Sequence, residues 1–161
     1  MKRSKIIRVV VQLSRFGLAA LFLLTAGAKV AIAKAFASNV GELLSASGFN
    51  YARWMWPATV AVIVGEVITA LLLIVPRTVR LGALCAAVLL MGFAGYALYY
   101  VYVLHGEPLE CGCFGGIIAS QLGVKTALRN LALLVPAIVV FFGYARRKRD
   151  KPAPLTEPVA A

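Results

Sequence analysis

The sequence predicts an all-α polytopic membrane protein, a four-transmembrane-helix bundle with both termini cytoplasmic, and three observations carry that expectation. First, 61% of the 161 residues are hydrophobic and only 14% are charged, and mean hydropathy is +0.87. A soluble domain of this length buries only about two-thirds of its surface and would be left with large apolar patches. Second, the apolar residues fall into long runs close to the ~20 residues that cross a bilayer. Third, the basic residues sit at the ends of those runs. The net charge of +11 therefore reads as a topology signal rather than a nucleic-acid footprint, since the cations are not gathered on one polar face. The expected surroundings are membrane lipid, with no nucleic acid.

Residues 1–12 form a basic N-terminal segment in which Lys2, Arg3, Lys5 and Arg8 alternate with Ile6, Ile7, Val9 and Val10. The first span is expected over residues 13–33, with Arg15 near its start. The basic start and Ala26-Gly27-Ala28 also resemble a secretory signal with an A-x-A cleavage site. Arg15 interrupts the early run and apolar residues continue to Phe36, which favours a retained span. From Ala35 to Arg53 the chain is mixed, and a short interfacial helix is expected there. Trp54 and Trp56 mark a membrane boundary, and Pro57 suits the first turn of the second span, 57–75. Pro76-Arg77-Thr78-Val79-Arg80 is a tight basic turn that folds the second and third spans into an antiparallel hairpin. The third span, 81–104, ends in Tyr96, Tyr99, Tyr100 and Tyr102, most simply an interfacial belt. A loop over 105–124 leads to the fourth span, 126–144, which Pro136 is expected to kink. Residues 146–161 begin with the basic run Arg146 to Arg149 and form a proline-containing, disordered tail.

Charge counting orients the bundle. Of seventeen Lys and Arg residues, twelve lie in the stretch from Lys2 to Arg15, the Pro76 turn or the C-terminal tail; the other five are Lys29, Lys34, Arg53, Lys125 and Arg129. The positive-inside rule then places both termini in the cytoplasm and the 105–124 loop outside.

That loop holds Glu110-Cys111-Gly112-Cys113-Phe114-Gly115-Gly116, a polar, glycine-rich island between apolar runs. Cysteines flanking one Gly can close on each other, in a ring small enough to be strained and readily reduced. Labile pairs of this kind are usually catalytic or regulatory. The outer side of a bacterial membrane is oxidising, so topology and thiol chemistry agree. The same thiolates are ligands for Cu(I), and a structural turn is the third reading. Zinc would need more ligands, and the nearby candidates are His105, Glu107 and Glu110. His105, the single histidine, is a candidate proton acceptor for a thiol, against the plainer reading of an interfacial polar residue. Cys85 is separated from the loop by about 28 Å of helix and is expected to be a small apolar filler.

Glu66 falls near mid-membrane, where a lone charge costs roughly 2.5–3.5 kcal/mol on insertion scales. It is expected to face the bundle, with Lys29 and Arg129 reaching towards it from the outer ends of their spans and Asn130 joining by hydrogen bonding. Such a cluster either sets helix register or moves protons.

The Ala26-Gly27-Ala28-Lys29 ending of the first span, Glu66 in the second, Cys111-Gly112-Cys113-Phe114-Gly115, and Leu128-Arg129-Asn130-Leu131-Ala132-Leu133-Leu134 follow one another in an order that resembles the MauE branch of the DoxX-like redox-associated membrane proteins. The resemblance runs from about Leu13 to about Tyr144. It implies a multi-pass protein of the bacterial cytoplasmic membrane, linked to methylamine utilisation and amine metabolism. It further implies a role in disulfide formation or maturation of an exported protein such as methylamine dehydrogenase, beside a thioredoxin-like partner. On this reading Cys111 and Cys113 are the redox pair, and Lys29, Glu66, Arg129 and Asn130 are the polar residues of the bundle. Quinone-linked four-helix enzymes are similar in size but relay electrons through more than one cysteine pair. A quinone is therefore a candidate cofactor that this single outer pair does not require. Dithiol exchange with a partner is the leading expectation, and a non-enzymatic membrane scaffold or assembly factor is the alternative.

Overall fold

The computed structural model describes residues 2–103 and 124–149, with side chains for residues 5–103 and 124–144. All regular structure among the described residues is helical: α1 (Lys2–Ala31), α2 (Ala33–Ala46), α3 (Tyr51–Ile74), α4 (Val79–Tyr102) and α5 (Val124–Arg149). Four of these are long and apolar enough to cross a membrane: Lys5–Ala31, Tyr51–Ile74, Val79–Tyr102 and Val124–Tyr144. They close into a ring in which α1 packs on α3, α3 on α4, α4 on α5 and α5 back on α1. Neighbours run in opposite directions. Arg15 of α1 meets the last carbonyls of α3 while Lys29, a dozen or so residues on, meets Glu66, and Val11 near the start of α1 packs on Gly143 near the end of α5.

Several boundaries differ from the sequence expectation. The basic segment before residue 13 is helical and continuous with the first span, because Lys2 to Arg15 contains neither Gly nor Pro, and Lys5 and Arg8 are exposed on the helix surface. Pro57 does not open the second span. It sits inside α3, which starts at Tyr51 behind an Asn50 cap whose side chain accepts from the Arg53 N–H at 3.4 Å. A proline removes the donor to the carbonyl four residues back, here that of the exposed Arg53 two residues into the helix. At the other end of the chain, α5 passes the expected stop at Tyr144 and runs through Arg149, so the basic run Arg146 to Arg149 is helical. The loop expected over 105–124, up to residue 123, and the tail beyond residue 149 lie outside the described residues.

The mixed stretch after the first span does form a short helix, α2. It packs on α3 by burying Phe36, Ala37 and Gly41, and Gly41 allows Met55 to approach to within 3.1 Å of where a Cβ would stand. Gly48 ends the helix with φ 79, where its N–H and that of Phe49 bond back to Ser45 and Leu44. The tyrosines of α4 are not a uniform belt. Tyr99 and Tyr102 are exposed, but Tyr100 is buried, and the Tyr96 hydroxyl donates to the Leu43 carbonyl at 2.8 Å beside Ser47, tying α4 to the end of α2.

The bundle interior is built largely from small residues, as expected where lipid supplies no hydrophobic drive and close backbone approach must hold helices together. Ala70, Ala83, Ala86, Ala94, Ala97 and Ala137 are all buried, while Leu24, Val60, Val88, Leu128 and Val135 point outward. Two apolar clusters result. One, around Phe22, Leu73, Leu90 and Val140, fills the half nearer the Pro76 turn; the other, around Ala94, Tyr100 and Ala127, lies nearer α2.

The α3–α4 hairpin is the tightest junction. A Cβ on Gly82 would stand 2.7 Å from the Leu73 nitrogen and 2.8 Å from the Leu72 carbonyl carbon, both backbone atoms. Gly82→Ala is expected to destabilise the protein by about 1–3 kcal/mol, because backbone cannot give way as a flexible side chain would. Gly92→Ala, with nothing within 4 Å of the new Cβ, is the matched control and is expected to be neutral or slightly stabilising. Thermal unfolding in detergent compares the two; equal midpoints would contradict the close approach.

Candidate functional site

An acidic residue inside an apolar helix must find a partner within the bundle. Glu66 is 2% exposed and Lys29 is also 2% exposed, and the Lys29 ammonium donates to Glu66 Oε1 at 2.6 Å. Lys29 lies in the last turn of α1, from which its four-carbon stem reaches inward. The ammonium also stands 5.5 Å from the Phe36 ring and 5.8 Å from the Phe93 ring, within the range of cation–π attraction. The pair is thus enclosed where α1, α2, α3 and α4 meet. Burial on this scale stabilises little in itself; its consequence is that neither partner can be removed alone without leaving a charge in apolar surroundings.

Around the Glu66 carboxylate the bundle carries a polar layer between its two apolar clusters. Thr25 of α1 donates its hydroxyl to the Phe22 carbonyl at 3.1 Å and borders the same cavity as Glu66 and Asn130 of α5. Asn130 is buried at 5% exposure. Arg129, next to it on α5, is half-buried and turned about a quarter of a circle round the helix, away from the residues that border that cavity. Of the four polar residues singled out in the sequence, Lys29 and Glu66 are joined directly, Asn130 faces the Glu66 cavity, and Arg129 does not border it. Cys111, Cys113 and His105 lie outside the described residues, as does the whole loop 105–123. Cys85 is a half-buried free thiol in α4.

Two features were not anticipated. Thr25 carries no signal in sequence, since a lone Thr in an apolar run is unremarkable. Arg15, read as part of the topology signal, is 4% exposed. Its Nε donates to the Leu73 carbonyl at 2.6 Å, one terminal nitrogen donates to the Ile74 carbonyl, and the other donates to the Tyr144 hydroxyl at 2.6 Å. The end of α3 is thereby fully accounted for: Leu71 accepts from the Val75 N–H, Leu72 from the Thr78 hydroxyl, and Leu73 and Ile74 from Arg15. An isolated Arg within the apolar run was the available signal.

Compared with known families, the chain matches the model described as methylamine utilisation protein MauE over residues 7–143. No curated protein and no solved structure matches it.

Proposed function

Because this chain belongs to the MauE family and has four helices of membrane-spanning length and composition, we propose that it is a membrane thiol–disulfide exchange protein acting through Cys111 and Cys113. The observation that carries the reading is the Cys111-Gly112-Cys113 sequence in the connection between α4 and α5. That connection leaves the bundle at the end where Lys29 and α2 lie, opposite the basic Pro76 turn. The positive-inside rule puts it on the extracytoplasmic side of a bacterial cytoplasmic membrane, where disulfides persist.

The exchange balances without an added reagent. A thiolate of the pair attacks a sulfur of the partner's disulfide, forming a mixed disulfide and releasing the partner's other sulfur as thiolate. The second cysteine then attacks its neighbour's sulfur, so the chain holds the disulfide and the partner holds two thiols. Two electrons have moved, and the reverse sequence moves them back. The partner is a thioredoxin-like or exported protein, and methylamine dehydrogenase maturation is the substrate class that family membership favours. The Lys29–Glu66 pair serves as the fixed polar element beneath the loop.

Alkylation of thiols in intact membranes is expected to find the pair partly oxidised, with its state changing when the partner is deleted. A pair that stays reduced under oxidising conditions in every partner background would sink the proposal. Replacing Cys111 and Cys113 together by Ser is expected to abolish exchange. Retained activity would favour a scaffold instead, and copper copurifying only with the wild type would favour Cu(I) handling.

A further inference from the structure

A cavity of about 20 Å³ lies in the polar layer of the bundle, with Phe22, Leu90 and Leu133 among its apolar walls and Thr25, Glu66 and Asn130 as its polar ones. Thr25 is 5% exposed, Glu66 2% and Asn130 5%. Among the described residues, Glu66 Oε2 and Asn130 Nδ2 are buried without a hydrogen-bond partner. The Thr25 hydroxyl donates to the Phe22 carbonyl at 3.1 Å and stands beside the Glu66 carboxylate, and its oxygen keeps lone pairs for a further donor. The site therefore presents two acceptors and one donor. Leaving such groups unpaired in apolar surroundings is costly.

An occupant that fits must donate twice, accept once and occupy about the space of one water, for which ~10–15 Å³ suffices. We propose that this cavity is a single-water site: the water accepts from Asn130 Nδ2 and donates to Glu66 Oε2 and to Thr25 Oγ1. Three hydrogen bonds is the usual number for a buried water. A metal cation would face the Lys29 ammonium already bound to the other Glu66 oxygen. An apolar occupant would leave both unpaired atoms as they are.

The water has two consequences. It gives the second carboxylate oxygen a donor, so that Glu66 is held on both oxygens. It also links α3 to α5, which face each other across the ring, through a bridge anchored on α1. The site stands on the bundle geometry alone and does not depend on the thiol chemistry.

A crystal structure of the full wild-type chain, at a resolution where ordered waters are visible, is expected to show one density peak within hydrogen-bonding distance of all three atoms. An empty cavity overturns the proposal. Infrared spectra in ordinary and ¹⁸O-substituted water provide the second measurement. Wild type minus Leu133→Phe, which fills the space but keeps all three polar groups, is expected to show an isotope-shifted O–H band. Asn130→Leu is expected to lose that band. Its absence from the wild type, or its survival in folded Leu133→Phe protein, contradicts a water at this place.

Discussion

Replacing Lys29 alone by Met is expected to cost about 3–5 kcal/mol of stability, the range seen when one partner of a buried ion pair is removed. The Glu66 carboxylate, 2% exposed, would then be left inside the bundle without the ammonium that pairs with it. Glu66→Leu alone is expected to be comparably damaging, because it strands the ammonium. The double replacement Lys29→Met with Glu66→Leu should recover most of the loss, since two apolar side chains of similar length remove both desolvation penalties together. Unfolding followed by circular dichroism in detergent reads all four proteins. A single variant that melts with the wild type, or a double variant no better than the singles, would contradict a direct pair. The folded double variant also separates the two roles of the cluster. If the disulfide exchange proposed above is retained in it, the pair sets helix register; if that exchange is lost, the pair belongs to the chemistry.

Arg15→Leu is expected to be the next most damaging change, at about 3 kcal/mol, given that hydrogen bonds to charged groups contribute about 1.5–3 kcal/mol each and do not add fully when they share one side chain. The substitution leaves the Leu73 and Ile74 carbonyls without donors at the negative end of the α3 dipole, and leaves the Tyr144 hydroxyl with only its own bond to the Gln12 side chain at 3.3 Å. Arg15→Lys is expected to recover less than half of the loss. A lysine keeps the charge, but its compact ammonium cannot span two successive carbonyls and a hydroxyl on a third helix. If Arg15→Lys matched the wild type in thermal unfolding, the residue would be acting only as a topology charge.

The contrast between these two sites explains what could be read beforehand. Glu66 and Lys29 stood out in sequence because an acidic residue deep in an apolar run has few physical solutions in a bilayer, and a basic residue near the end of the adjacent span is the simplest. Arg15 was equally conspicuous but ambiguous, since a cation near a helix start satisfies the positive-inside rule whether it points to water or to a neighbouring helix end. Its role depends on the rotation of α1 about its axis, which the nearly all-apolar surface of a membrane helix does not encode. Pro57 misled for a related reason. A proline is most at home in the first turn, yet the Asn50 cap starts the helix earlier and the missing hydrogen bond falls near the exposed helix end, where it is tolerated.

The sequence by itself determined the class of this protein, the number and approximate ends of its spans, and the identity of its chemically conspicuous residues, because the bilayer imposes length and polarity rules that composition must obey. Only the tertiary structure decided that α2 folds against α3 and brings Phe36 to Lys29. It also decided that Thr25, Glu66 and Asn130 share one small cavity, and that Arg15 closes the end of α3. Each of these depends on how helices rotate and approach one another, and among small residues packed in lipid that is settled by contacts between segments far apart in the chain.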